Sequence, residues 1–151
     1  MLKLSRKTLY ALEAVVDIAY NAWSEPVQSK EITERQGIPQ RYLEQVMQHL
    51  VRAGVLKGVR GPKGGYLLAR ERRRIKVGEI VRIISAMEAN GETAGYESAS
   101  VLGQEVIAPL LNEVQDELMA RLDSVSIDDL CKSAQKGGVP RVEGNRLDFI
   151  I

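Results

Sequence analysis

Apolar residues Leu9, Leu12, Val16, Ala19 and Trp23 recur at steps of three and four, the spacing of one helix face. Ser5 stands before this run as a cap, and Ser24-Glu25-Pro26 closes it. The pattern predicts a first helix to about Trp23. Ser29 is expected to cap a short second helix through Gln36, closed by Gly37. Pro39 then opens a third helix, where its missing N–H costs nothing. In that helix Leu43, Val46, Met47 and Leu50 point one way. Arg41, Gln45, Gln48 and Arg52 point the other, joined by Gln40 and Glu44 on the first turns. Gly54 ends it.

The period then shortens. Apolar runs around Val59 and at Tyr66-Leu67-Leu68 flank the turn Arg60-Gly61-Pro62-Lys63-Gly64-Gly65, which reads as a hairpin with a basic tip. A fourth helix is expected from Val77 to Met87, burying Ile80, Ile83, Ile84 and Met87, and residues 88–98 read as a loop. A long helix follows somewhere between Ala99 and Asp123. Its apolar positions Ile107, Leu111, Val114, Leu118, Leu122 and Val125 come close to a coiled-coil seam. Pro109 requires that this helix either begin near it or kink there. Ser126-Ile127-Asp128-Asp129 resembles a capping box for a short last helix ending near Ala134. Gly137-Gly138 and Pro140 break regular structure, and the tail ends in an apolar Leu147-Asp148-Phe149-Ile150-Ile151 suited to docking.

The expected fold is therefore mainly α with a small β-hairpin wing: a winged helix-turn-helix plus a long dimerisation helix. The expected units are residues 1–87 for the reading head, 88–136 for the loop, long helix and terminal helix, and 137–151 for the tail.

Charge sharpens this picture. The net charge of the 151 residues is only +1. Residues 1–76 nevertheless carry 15 Lys/Arg against 7 Asp/Glu, and residues 77–151 carry 6 against 13. A basic head and an acidic second half suit a chain that meets nucleic acid with one end. The basic groups concentrate at Arg52, Lys57, Arg60, Lys63, Arg70, Arg72, Arg73, Arg74 and Lys76, with Glu71 the one acid among them. A charge run alone is usually just a solvated surface; the adjoining helix and hairpin change that reading. Arg, Gln and Glu near a helix start are the side chains that pair with guanine, adenine and cytosine edges in the major groove.

Other chemistries find less support. No apolar run approaches a membrane span, and no signal-peptide core follows the basic start. One cysteine, Cys131, excludes an internal disulfide framework, so a cytoplasmic location is expected. Glycines 61, 64 and 65 lack the Gly-Lys-Ser/Thr ending of a phosphate loop. No Cys/His pair, HExxH or Gly-x-Ser-x-Gly is present, so no enzyme is expected. His49 is the single histidine and reads as a surface or phosphate-contact residue, and Cys131 as a small buried residue. Tyr20 and Trp23 read as core or core-edge residues, with an effector pocket against the long helix as the lesser reading.

Several stretches together resemble a known family. They are Leu4-Ser5 with Tyr10-Ala11-Leu12, Ile32 to Ile38, Tyr42-Leu43-Glu44-Gln45, Ala53-Gly54-Val55, and Arg60 through Ala69. The chain resembles the bacterial winged-helix regulators that include the iron–sulfur cluster assembly regulator, the nitric-oxide-sensing repressor and the cysteine-metabolism repressor. The resemblance covers residues 1–87 well and Val125 to Leu130 more weakly. It implies a homodimer crossed through the long helix on a near-palindromic operator, with the third helix in the major groove and the wing in the minor groove. Arg60 matches the family's wing arginine and Glu44 its base-reading glutamate. Arg41 stands where a small residue is frequent. Many members hold an iron–sulfur cluster through three closely spaced cysteines before the long helix. Residues 88–103 contain none, so neither cluster nor other cofactor is expected.

The expected function is a homodimeric, sequence-specific DNA-binding transcription regulator, a repressor rather than an activator. Its partners would be double-stranded DNA, a second copy of itself, and an unidentified small-molecule or protein effector. The expected DNA contacts are Ser29, Gln40, Arg41, Glu44, Gln45, Gln48, Lys57, Arg60, Gly61, Lys63 and Arg72. The expected dimer interface is Ile107, Leu111, Val114, Leu118 and Leu122. The alternative is a winged-helix protein-interaction module without a DNA site. An RNA-binding reading is weaker, because aromatics are only 5% of the chain.

Overall fold

The computed structural model describes residues 4–22, 25–89 and 95–142. Trp23, the middle of the loop after the fourth helix and the apolar end of the tail lie outside them. The described elements are α1 (Arg6–Asn21), α2 (Ser29–Gln36), α3 (Gln40–Arg52), β1 (Leu56–Val59), β2 (Gly65–Leu68), α4 (Val77–Glu88), α5 (Ala108–Asp123) and α6 (Ile127–Lys136). A π turn at Gly103–Ile107 leads into α5.

Local chemistry sets the helix ends. The Ser5 hydroxyl accepts from the Thr8 N–H at 3.4 Å and donates to Glu88, tying the start of α1 to the end of α4. Ser29 is not the cap of α2. That place belongs to Gln28, whose backbone N–H donates to Glu31 Oε2 at 2.8 Å, and Ser29 is the first helical residue. Pro39 is likewise the cap of α3 and Gln40 its first residue.

The face of α1 that enters the core is Ala11, Ala14, Val15 and Ile18, each with no exposed surface. The stripe read from the sequence is offset from it: Leu9 is 46% exposed, while Leu12, Val16 and Ala19 are half-buried along the core's edge. Two alanines on the inner face let neighbouring helices approach closely, so small residues occupy the centre and larger ones its flank. In α3 the expected inner face holds in full: Leu43, Val46, Met47 and Leu50 are all completely buried. Each such side chain contributes roughly 1.5–3 kcal/mol by leaving water.

β1 and β2 form an antiparallel hairpin with Leu56 opposite Leu68 and Val59 opposite Gly65. Val27 adds a third rung that the sequence did not announce. Its N–H and C=O bond the C=O and N–H of Tyr66 at 3.0 and 2.8 Å. The backbone of Val27 passes so close to Gly65 that a Cβ there would sit 2.5 Å from the Val27 oxygen, and Gly65 itself has φ +151°. Only glycine suits both conditions.

Pro109 is the second residue of α5, so α5 does begin beside it, and helical turns nonetheless precede it. The helix runs from Val101 to Asp123, and the π turn just before Pro109 absorbs the difficulty. The Ala108 N–H reaches back five residues to the Gly103 carbonyl. Widening the turn relieves the clash between a proline ring and the carbonyl four residues earlier.

The last helix returns to the head. Ile127 and Cys131 of α6 are buried in the same core as α1 and α3. Residues 72–77 run antiparallel beside 125–128 through Val77 N to Val125 O at 2.8 Å, Ile127 N to Ile75 O at 2.9 Å and Asp128 N to Arg72 O at 3.1 Å. After α6, Val139 to Val142 cross back over α1. The Tyr20 hydroxyl donates to Val139 O at 2.8 Å, and the Val142 N–H donates to Asn21 Oδ1 at 2.9 Å.

Candidate nucleic-acid interface

α3 is held by its buried face, which leaves Gln40, Arg41, Glu44, Gln45, Gln48 and Arg52 exposed. Gln40 Nε2 donates to Glu44 Oε1 at 3.1 Å, so two candidate base-reading groups are aligned one turn apart. Arg41 lies over the Tyr42 ring, 5.0 Å from its centre, and donates to the Tyr42 hydroxyl at 3.2 Å. Tyr42 stacks on Tyr10, with ring centres 6.0 Å apart. The guanidinium is thereby held near the start of α3.

Beside α3 lies an open groove lined by the start of α2 (Ser29, Lys30), by Val51, and by Gly58, Val59, Arg60 and Gly61 of the wing. Val51 shares its flank of α3 with Gln40, Glu44 and Gln48 by helical spacing. Gln28 Nε2 reaches the Pro62 carbonyl at 3.5 Å and joins the α2 start to the wing tip. The groove thus brings together Ser29, Arg60 and Gly61, with Val51 the one α3 residue that lines it; Gln40, Arg41, Glu44, Gln45 and Gln48 are exposed on α3 but do not line it. Lys57, on β1, and Lys63, at the wing tip, are exposed as well.

The basic run from 52 to 76 divides in two. Among the described residues, Arg52, Lys57, Arg60 and Lys63 form no ion pair. The later arginines each face a carboxylate: Arg70 with Glu79, Arg72 with Asp128 at 2.7 Å, and Arg73 and Arg74 with Glu71 at 3.8 Å. Arg72 also reaches the Ala19 carbonyl at 3.5 Å. The sequence groups Arg72 with the DNA contacts, whereas the structure occupies it as a fastener between the loop, α1 and α6. Its partner Asp128 is buried and held below the usual carboxylate range, first by a hydrogen bond from Lys132 and then by Arg72.

On the long helix Ile107, Leu111, Val114 and Leu118 are 37–52% exposed, and Leu122 is half-buried. Val101, Leu102, Val106 and Leu110 add to this apolar face at 54–75% exposure, a width the heptad-like reading missed. Only Ala108 of α5 is buried. A face of this size is unusual for a surface left to water.

The residues present do not fit an iron–sulfur cluster. The chain has one cysteine, Cys131, and it is 2% exposed within the core under α6. Burial pushes its thiol pKa up, away from the thiolate that ligation requires. Among the described residues no three His, Cys, Asp or Glu side chains gather as a metal site. His49 is half-buried on the last turns of α3. Tyr20 does line a cavity, but against α6 and the segment after it rather than against the long helix.

A profile of the Rrf2 family, described as iron-dependent transcriptional regulators, matches residues 4–133. The HTH-type transcriptional regulator IscR of Xenorhabdus nematophila is 32% identical over 134 residues, which are 89% of this chain and 82% of that protein. The solved structure of T. potens IscR superposes with a TM-score of 0.73 at 36% identity, covering 93% of this chain and 94% of the other. CymR, the global cysteine regulator of B. subtilis, gives a TM-score of 0.72 at 28% identity, over 88% and 98% of the two chains.

Proposed function

The chain belongs to the Rrf2 family of transcriptional regulators, and from that premise we propose that it binds duplex DNA as a homodimer and represses transcription at a near-palindromic operator. The exposed face of α3 enters the major groove, where Gln40, Arg41, Glu44, Gln45 and Gln48 meet base edges. The wing carries Arg60 and Gly61 to the adjacent minor groove, and Ser29, Lys57 and Lys63 meet phosphates. Arg72 is left out of this set. Ile107, Leu111, Val114, Leu118 and Leu122 pair with the same face of a second copy, which buries an apolar surface that the other described residues leave open. No cluster or other cofactor takes part.

One observation carries the reading. Arg60 and the start of α2 line an open groove that α3 borders through Val51, and Arg52, Lys57, Arg60 and Lys63 form no ion pair among the described residues. Unpaired cations on a shaped, polar surface are what phosphate neutralisation requires. Selection of bound fragments from random duplex DNA tests it. A recovered motif with two-fold symmetry and half-sites about one helical turn apart is expected. Recovery of an unrelated, asymmetric population would favour the protein-interaction alternative.

A further inference from the structure

A second concave site lies on the other side of the head. A cavity of about 300 Å³ opens between α1, the end of α2 and the segment that follows α6. Leu12, Val16, Tyr20, Ala134, Val139 and Pro140 give it apolar walls. Its volume is at the lower end for small-molecule pockets, enough for one ring or one branched chain.

The polar groups of the wall are almost all committed. Asp17, fully buried at its side chain, accepts from Arg35 Nη2 at 2.7 Å, Arg35 Nε at 2.9 Å and Gln36 Nε2 at 2.8 Å. Asn21 donates to the Asp17 carbonyl at 3.0 Å and accepts from Val142 N. The Tyr20 hydroxyl is taken by Val139 O. Glu13, one helical turn before Asp17, is the exception. It is half-buried, lines the same cavity, and receives no hydrogen bond among the described residues. Burial raises its pKa, and Arg6 opposes this only in part.

We propose that this cavity binds a small organic amine, with the apolar body of the ligand against Val16, Tyr20 and Pro140 and its ammonium group on the Glu13 carboxylate. An apolar wall with one carboxylate that receives no hydrogen bond among the described residues selects for a cation carrying an apolar body. A carboxylate ligand meets like charge at Glu13, and a neutral one leaves it unmatched. The site concerns the chain's own cavity and stands or falls independently of DNA binding.

Calorimetric titration of the full chain with 2-phenylethylamine tests the site, with 2-phenylethanol as the uncharged ligand of the same shape. Amide NMR shifts locate the binding. The amine is expected to bind saturably, with shifts at α1, the end of α2 and 139–142. The alcohol is expected to bind about tenfold more weakly, as the loss of one hydrogen bond to a charged group implies. Glu13→Gln, checked for native circular dichroism, is expected to weaken the amine about tenfold and leave the alcohol unchanged. Ala134→Leu, which fills the cavity, is expected to weaken both. Equal affinity of amine and alcohol, equal amine affinity in wild type and Glu13→Gln, or no saturable binding with shifts at these residues would each overturn the proposal.

Discussion

Arg72 Nε lies 2.7 Å from the Asp128 carboxylate, joining the arginine-rich loop to the first turn of α6. Lys63, nine residues earlier, meets no carboxylate among the described residues. Two cations from one basic run therefore stand in different surroundings. Lys63→Ala is expected to weaken all duplexes alike and to lower the salt slope of binding by about one. Arg72→Ala is expected to leave that slope unchanged and to lower folding stability by about 1–3 kcal/mol, because buried Asp128 loses a charged partner. Denaturant unfolding and duplex titrations at several salt concentrations separate the two effects. A slope reduced by Arg72→Ala would return that residue to the DNA surface.

Asp128, held first by Lys132 and then by Arg72, also fixes a pH dependence. The folded-state pKa of Asp128 is depressed, so its contribution is complete above the ordinary carboxylate pKa and is lost as pH falls through the lower, folded value. Asp128→Asn is expected to be less stable than wild type near neutrality, with the gap closing as the solution is acidified below the carboxylate range. Unfolding midpoints across that range read it directly. A gap that widens on acidification would contradict the assignment.

At the wing, Arg60→Ala is expected to weaken operator binding by roughly 1–3 kcal/mol while non-specific binding changes less. Competition with unrelated duplex measures the ratio. An unchanged ratio would remove Arg60 from base recognition.

Gly65 tests the seam between the wing and Val27. Gly65→Ala places a methyl group within 2.5 Å of the Val27 carbonyl and forces φ +151° on an L side chain. A loss of at least about 1 kcal/mol is expected, with faster amide exchange at Val27 and Tyr66. Wild-type stability and exchange would show that the wing accommodates the methyl group elsewhere.

Val114 is 52% exposed in the middle of the apolar face of α5. Val114→Asp is expected to convert a dimer to a folded monomer in sedimentation, since a charge at the centre of an apolar interface lacks a partner. A wild-type chain that sediments as a monomer would end the dimer assignment.

Much of the head was legible because its signals are local. Ser5 caps α1, Leu43 to Leu50 give α3 its buried face, and the glycine-rich turn between Val59 and Tyr66 makes the hairpin. What escaped depends on partners distant in the chain. The ion pairs of Arg70 and Arg72 involve Glu79 and Asp128, which no spacing rule connects to them. Val27 joins the wing through backbone atoms and leaves no side-chain signature. α1 has two apolar flanks, and its sequence alone does not say that the alanine-bearing one faces inward. Pro109 offered a choice between starting and kinking a helix; α5 does begin beside it, at Ala108, but the π turn that precedes it depends on backbone rather than on residue type.

Duplex titration across a range of salt, with the stoichiometry read at each point, decides whether the chain binds DNA as a pair. Two chains per operator, a steep linear fall of log affinity with log salt, and an operator preference that survives competitor DNA are expected. A single chain indifferent to every duplex, at low salt as well as high, would contradict binding as a pair.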